Sequence, residues 1–263
     1  MNRALRTAAT GMYAQQLNVD LIAHNLANVN TTGFKKSRPE FQDLMYQTLK
    51  VSGASPNPNI QQSTEIQVGN GTLPVATLRS FSQGDIQPTN NPMDVAIQGE
   101  GFLQVRRVDG TIAYTRDGAL KISSDGMLVT SQGYLLEPGI SLPAETTTIS
   151  ISRDGVIEAT AVGDSTPVRV GQLELAKFVN PAGLRAIGNN LFIETVASGK
   201  PLVGTAGEEG FGEIHQGFLE LSNVDVVEEM VSMIVAQRAY EINSKTIKTV
   251  EDMLSMANNL KRG

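Results

Sequence analysis

Apolar residues recur at heptad spacing at both ends of this chain, and the region between them follows a different period. Near the start, Leu5, Met12, Val19 and Leu26 stand seven residues apart, with Ala8, Gln15 and Ile22 three positions after the first three. Near the finish, Val227, Val231, Val235, Ala239, Ile242, Thr246, Val250, Met253, Ala257 and Leu260 hold a three-four spacing. That spacing lines one side of a helix with a narrow apolar seam, suited to packing on another helix. Chain ends commonly fray, so seams at both of them constrain the fold to one in which each end finds a helical partner.

The first helix is expected from about Arg3 to Val29, closing on the turn cluster Asn30-Thr31-Thr32-Gly33, where glycine takes positive φ without a Cβ clash. Phe41, Leu44, Met45 and Leu49 allow a short helix between Phe34 and Leu49. Val51 to Pro74, with Gly53, Pro56, Pro58, Gly69 and Gly71, reads as a long irregular connection. From about Val75 the period is two. Asp109-Gly110, Asp117-Gly118, Asp125-Gly126 and Asp154-Gly155 supply the positive φ of tight hairpin turns. Between them lie strand candidates at Phe102 to Val108, Thr111 to Arg116, Ala119 to Ile122 and Met127 to Thr130, with Ile149 and Ile151 following. Val168, Val170, Leu173 and Leu175 read as one later strand. Asp225 followed by Glu228 reads as a capping box. It opens a helix of about 35 residues, roughly 50 Å long, with Lys261 and Arg262 at the negative end of its dipole. The fold class is therefore α+β. Terminal helices (1–30 and 224–263) with seams suited to pairing as a coiled-coil-like layer flank a linker at 31–74 and an antiparallel β-domain at 75–223.

The chemistry of an enzyme is hard to find. With 21 Lys plus Arg against 27 Asp plus Glu the net charge is −6, and no basic block provides a nucleic-acid footprint. No run of about 18 apolar residues is present to span a bilayer. Arg3 and Arg6 are followed by no continuous apolar stretch, so a cleaved secretory signal is not expected. Cysteine is absent, which removes disulfides, thiolate nucleophiles and cysteine zinc sites. The Asp-Gly pairs offer single carboxylates rather than a converging oxygen cage for calcium. Only His24 and His215 are available to a metal or a catalytic triad, and no G-x-S-x-G occurs. Gly99-Glu100-Gly101 precedes a strand rather than joining strand to helix, so it is no dinucleotide fingerprint. Neither a cofactor nor a metal is expected.

For the seams two readings stand. In one, the terminal helices form an intramolecular hairpin capping the β-domain. In the other, they meet neighbouring chains. Small residues and Gln15 give the first helix a poor core of its own. Met230, Ile234, Tyr240, Ile247 and Leu254 fall outside one narrow face of the last helix. Apolar groups on several sides call for more than one partner.

At this point a resemblance becomes specific. His24-Asn25-Leu26-Ala27-Asn28-Val29-Asn30-Thr31-Thr32-Gly33-Phe34-Lys35 resembles the N-terminal signature of bacterial flagellar rod and hook proteins. Gln237-Arg238-Ala239-Tyr240-Glu241-Ile242-Asn243-Ser244-Lys245 resembles their C-terminal signature. Ser82-Gln83-Gly84, Asp94 through Phe102, and Tyr114-Thr115-Arg116-Asp117-Gly118 are similar to the entry of their shared β-domain. Length, Gly69 through Thr77 and Gln87 through Asn91 favour the distal-rod form, with proximal-rod and hook-type subunits as the alternative. His24 departs from the asparagine more usual at its place.

The resemblance implies a structural subunit that polymerises into a hollow, straight rod carrying motor torque to the hook around an export channel. Its implied partners are further copies of itself, proximal rod proteins, a hook or hook-junction protein, the peptidoglycan- and outer-membrane-level bushing rings, and the type III export apparatus. No nucleic acid and no membrane insertion are implied. The expected assembly interface comprises Leu5, Met12, Val19, Leu26, Asn28, Gly33, Phe34, Val227, Val231, Ile234, Val235, Tyr240, Ile242, Val250 and Met253. A stiffening role is expected for the stretch 46–74, marked by Gly53, Pro56, Pro58 and Ile66. The termini are expected to order only on docking. A glycan-binding β-domain and another secreted filament subunit remain as readings of other classes.

Overall fold

The computed structural model describes residues 2–50, 65–143, 146–161 and 166–260. The chain divides into two compact units. One gathers 1–26, 37–78 and 225–263, and the other 27–36 and 79–224.

The first unit holds both long helices. Helix α1 spans Asn2–Ala27 and helix α2 spans Val226–Leu260. Asp225 caps α2 as expected: its Oδ1 accepts the amides of Val227 at 2.8 Å and Glu228 at 3.1 Å. These are two of the four donors a helix start leaves open. The expected basic end at Lys261 and Arg262 lies outside the described residues.

The expected short helix at 34–49 is not formed. Ser37–Asp43 pairs with Thr72–Arg79, and Tyr46–Lys50 pairs antiparallel with Ile66–Gly69. The connection expected to be irregular is therefore partly a two-stranded ribbon. Two local features explain the change. Pro39 removes a helix donor near the start of the segment, and Tyr46 and Thr48 are residue types that favour the pleated surface of a strand. Gly53, Pro56 and Pro58 lie outside the described residues.

The second unit is the β-domain. Its largest sheet has nine strands. Seven follow the order Arg185–Gly188, Leu191–Ile193, Ile112–Thr115, Phe102–Arg106, Leu135–Glu137, Leu128–Thr130 and Leu120–Ile122, while Glu174–Lys177 joins Phe102–Arg106 and carries Leu202–Thr205 beyond it. A three-stranded sheet is built from Thr146–Ile151, Val156–Ala161 and Val168–Gln172. Two short pairs complete the unit: Val95–Gln98 with Glu213–Gln216, and Ile86–Pro88 with Phe218–Glu220. Strand Phe102–Arg106 runs through the middle, and Leu103 and Val105 belong to a core that includes Leu128, Leu136, Ile157, Leu175 and Ile214. Each such side chain stabilises the unit by about 1.5–3 kcal/mol relative to exposure.

Three of the four Asp-Gly pairs sit in hairpin turns, with Gly110, Gly126 and Gly155 at φ of 81°, 76° and 79°. The fourth does not. The strands flanking Asp117-Gly118 pair with other strands, and Gly118 lies against Val95, whose amide donates to the Gly118 carbonyl at 3.0 Å. A Cβ at Gly118 would fall 1.6 Å from the Val95 carbonyl oxygen. This glycine is fixed by close approach rather than by turn conformation. The single strand expected through Leu175 is also two strands. Leu173 is buried, its amide donates to Gly155, and the chain passes there from the three-stranded to the nine-stranded sheet.

Candidate functional site

The two helices touch with antiparallel register. Gly11 lies where Asn243 approaches, and a Cβ there would meet the Asn243 amide nitrogen at 2.9 Å. Further along, Asn25 Nδ2 donates to Glu229 Oε2 at 3.2 Å. Between these points Gln16 and Val19 of α1 face Gln237, Tyr240 and Glu241 of α2 across a groove of about 480 Å³. Asn25 does more than join helices. Its amide also donates to the Ser37 carbonyl (2.9 Å) and its Oδ1 accepts the Ser37 amide (3.0 Å), so the buried side chain is satisfied on both sides.

The face that α2 buries is not the heptad seam. Glu229 and Ala236 are buried, and Met233, Asn243, Ile247 and Leu254 are half-buried. The seam stands on the open side: Val227 is 71% exposed, Val235 62% and Ile242 65%, against 1% for Ala236. Val231, Ile234, Tyr240 and Met253 are exposed with them, and Val250 is half-buried. On α1, Leu5, Met12, Val19 and Leu26 are half-buried, while Ala8 and Ile22 are buried. Exposed Val, Ile and Met residues along several turns form the kind of apolar surface that marks an interaction site.

Gly33 and Phe34, expected at an interface, lie inside the β-unit. Phe34 is buried, and Gly33, at φ 66°, donates its amide to the Glu220 carbonyl at 2.8 Å. Asn28 is half-buried and its Oδ1 accepts the Thr31 hydroxyl at 3.2 Å. Ile66 is exposed in the ribbon.

What these signatures build is a buried ionic joint. Lys35 Nζ donates to Glu220 Oε1 at 2.5 Å and to the Ser82 carbonyl at 2.7 Å. Arg116 reaches the other oxygen of Glu220 at 3.2 Å, the Ile97 carbonyl at 3.2 Å and the Gly99 carbonyl at 2.6 Å. The Gly84 amide adds a further bond to Glu220 Oε1 at 2.9 Å. Two cations face one carboxylate, and carbonyl oxygens take up the surplus positive charge. Burial lowers the affinity of Lys35 for its proton, and the adjacent Glu220 opposes that shift. Asn223 completes the joint by accepting the Lys36 amide and donating to the Ser80 and Ser82 carbonyls. Lys35, Ser82, Gly84, Gly99 and Arg116 all come from the motifs that carried the resemblance. Glu220 carries no sequence signal that would have singled it out.

Among the described residues no group of three or more His, Asp or Glu side chains is placed to hold a metal ion, and no helix is long and apolar enough to cross a membrane. The exposed apolar face of α2 is the kind of surface carried by subunits that pack on neighbouring chains. Residues 5–35 match the family model described as flagella basal body rod protein, 96–159 that of the flagellar hook protein FlgE/F/G D1 domain, and 215–260 that of the flagellar basal body rod FlgEFG protein C-terminal region. The chain is 55% identical to the flagellar basal-body rod protein FlgG of Borreliella burgdorferi over the whole of both chains. It is 47% identical to that of Caulobacter vibrioides over 98% of this chain and 99% of the relative, and 37% identical to that of Bacillus subtilis over the whole of both. The chain belongs to the flagellar basal-body rod protein family.

Proposed function

We propose that this chain is the structural subunit of the flagellar distal rod, polymerising into a rigid helical tube that carries motor torque to the hook and surrounds the export channel. The observation that carries the reading is the exposed apolar seam of α2, together with full-length likeness to rod proteins. Open-ended growth needs contacts that do not close on themselves. The half-buried seam of α1 and the exposed seam of α2 supply the inner, helical contacts, paired in the assembled tube as a coiled-coil-like layer. The β-unit faces outward, towards the bushing rings, and the tube spans the periplasm. Proximal rod proteins, the hook or its junction and the export apparatus are the neighbouring partners, and no catalytic step is assigned.

The stretch 46–74 stiffens the rod. Support comes from the ribbon's exposed Tyr46, Leu49 and Ile66, which offer apolar groups to neighbouring copies. Removal of residues 53–66 is expected to give curved or flexible polymers in electron micrographs, and unchanged straight rods would remove this role.

The main test substitutes the seam. Val231→Asp with Ile242→Asp places two charges on a surface exposed in the single chain, so the fold by circular dichroism should be kept while polymer formation is lost. Normal polymerisation by the double variant would overturn the reading.

A further inference from the structure

We propose that a second copy of this chain seats the hairpin tip Arg107-Val108-Asp109 in a phenylalanine-walled cavity at the opposite end of the same strand. This rests on the self-assembly reading and names a contact between β-units.

Strand Phe102–Arg106 has a different feature at each end. Beyond its last residue the chain makes a tight turn: the Arg107 amide donates to Thr111 O at 2.9 Å and the Gly110 amide to Arg107 O at 2.9 Å. Asp109 accepts the Thr111 amide and pairs with Arg107 at 2.8 Å. Every turn contact is thus made by Val108's neighbours, while Val108 itself is 98% exposed. At the strand's first residue lies a cavity of about 210 Å³, walled by Phe81, Phe102 and Phe178. Its rim carries the ion pair Lys177–Glu100 at 2.6 Å, and Val179 stands there 85% exposed.

A lone exposed valine needs no explanation. Here the valine is flanked by one cation and one anion, and the cavity rim carries one of each. Lys177 can meet Asp109 as Glu100 meets Arg107 while the isopropyl group enters the aromatic walls. Val108 lies six positions beyond Phe102, about 20 Å along an extended chain. The two patches do not overlap, so a copy can engage one neighbour with its tip and another with its cavity, as a heterologous, non-closing contact requires.

The absence of cysteine makes the test clean. Val108→Cys and Val179→Cys are introduced together, the chain is polymerised under reducing conditions, and a short thiol–thiol cross-linker is added. The two positions are too far apart to link within one chain. A ladder of covalent dimers, trimers and higher species is expected from the double variant, and none from either single variant. Polymer that forms without a ladder, or dimers from Val108→Cys alone, would overturn the contact while leaving self-assembly intact. Failure of the unmodified chain to polymerise would instead remove the reading beneath it, and the contact with it. Independently, Val108→Asp should raise the critical concentration about tenfold, the effect of one valine not buried. An unchanged critical concentration would count against the contact.

Discussion

Lys35 and Glu220 lie 185 positions apart in the chain and meet at 2.5 Å, both side chains wholly buried. Removing one partner of such a pair leaves the other charge without compensation, at about 3–5 kcal/mol. The two ends of this pair are not equivalent. Glu220→Ala strands Lys35 and Arg116 together, whereas Lys35→Met leaves Glu220 with Arg116 and the Gly84 amide. Urea denaturation of the unassembled chain should show Glu220→Ala as the more destabilising change, by that order of magnitude. Equal, small losses would mean that the joint is not the brace described.

Asp117 gives a pH-dependent counterpart. Burial raises its pKa above the ordinary carboxylate value, against bonds from the Ala119 amide and the Thr32 hydroxyl. The folded state therefore holds this proton more tightly than the unfolded state, and the group's unfavourable contribution appears as pH rises from 3.8 through the folded pKa. Asp117→Asn keeps an acceptor and removes the charge. The variant should match or exceed the parent in stability at pH 7, and its advantage should shrink towards pH 4. A variant clearly less stable at pH 7 would contradict this account.

Gly118 and Gly110 separate two reasons for a glycine. Alanine at Gly110 meets no atom within 4 Å, and the cost is that of positive φ, about 1–2 kcal/mol. Alanine at Gly118 would press on the Val95 backbone. Thermal melts should show a modest loss for Gly110→Ala and a failure to fold stably for Gly118→Ala.

Methionine supplies a chemical probe of the open helix face. Met230, Met253 and Met256 are 52%, 49% and 59% exposed on α2. With no cysteine or tryptophan present, peroxide should convert these thioethers to sulfoxides with release of water. Polar sulfoxides on the exposed side of α2 should suppress polymerisation, and leucine at all three positions should restore it under the same treatment. Unimpaired assembly of the fully oxidised chain, verified by mass, would show that this part of the face stays open.

Local chemistry made much of this fold legible. Heptad spacing located both helices, Asp225 marked the start of α2, and three Asp-Gly pairs marked real hairpins. The ribbon at 37–50 was hidden because its apolar residues fit a helical spacing as well as a strand, and only pairing with 66–79 decides between them. The inward face of α2 is not legible in the sequence because Glu229 and Asn243 carry it with Ala236, and polar groups satisfied in tertiary contact look solvent-facing in a sequence. Signature residues Gly33 and Phe34 are recognisable in the sequence, but their packing within the β-unit depends on residues near Glu220 that lie far along the chain. Glu220 lay beyond any local pattern, since its partners come from three separate stretches, around Lys35, Gly84 and Arg116.

The joint also has a topological consequence. Gly33 meets Glu220 through the backbone, and Lys36 and Asn223 meet beside it, so the β-unit receives and releases the chain at one spot. Ser80, where the chain re-enters the β-unit, bonds to both Lys36 and Asn223, so whatever is inserted between Ser80 and Asn223 hangs from that clasp like a charm from a bracelet. The β-unit can be enlarged, trimmed or exchanged without moving the points at which the chain enters and leaves it.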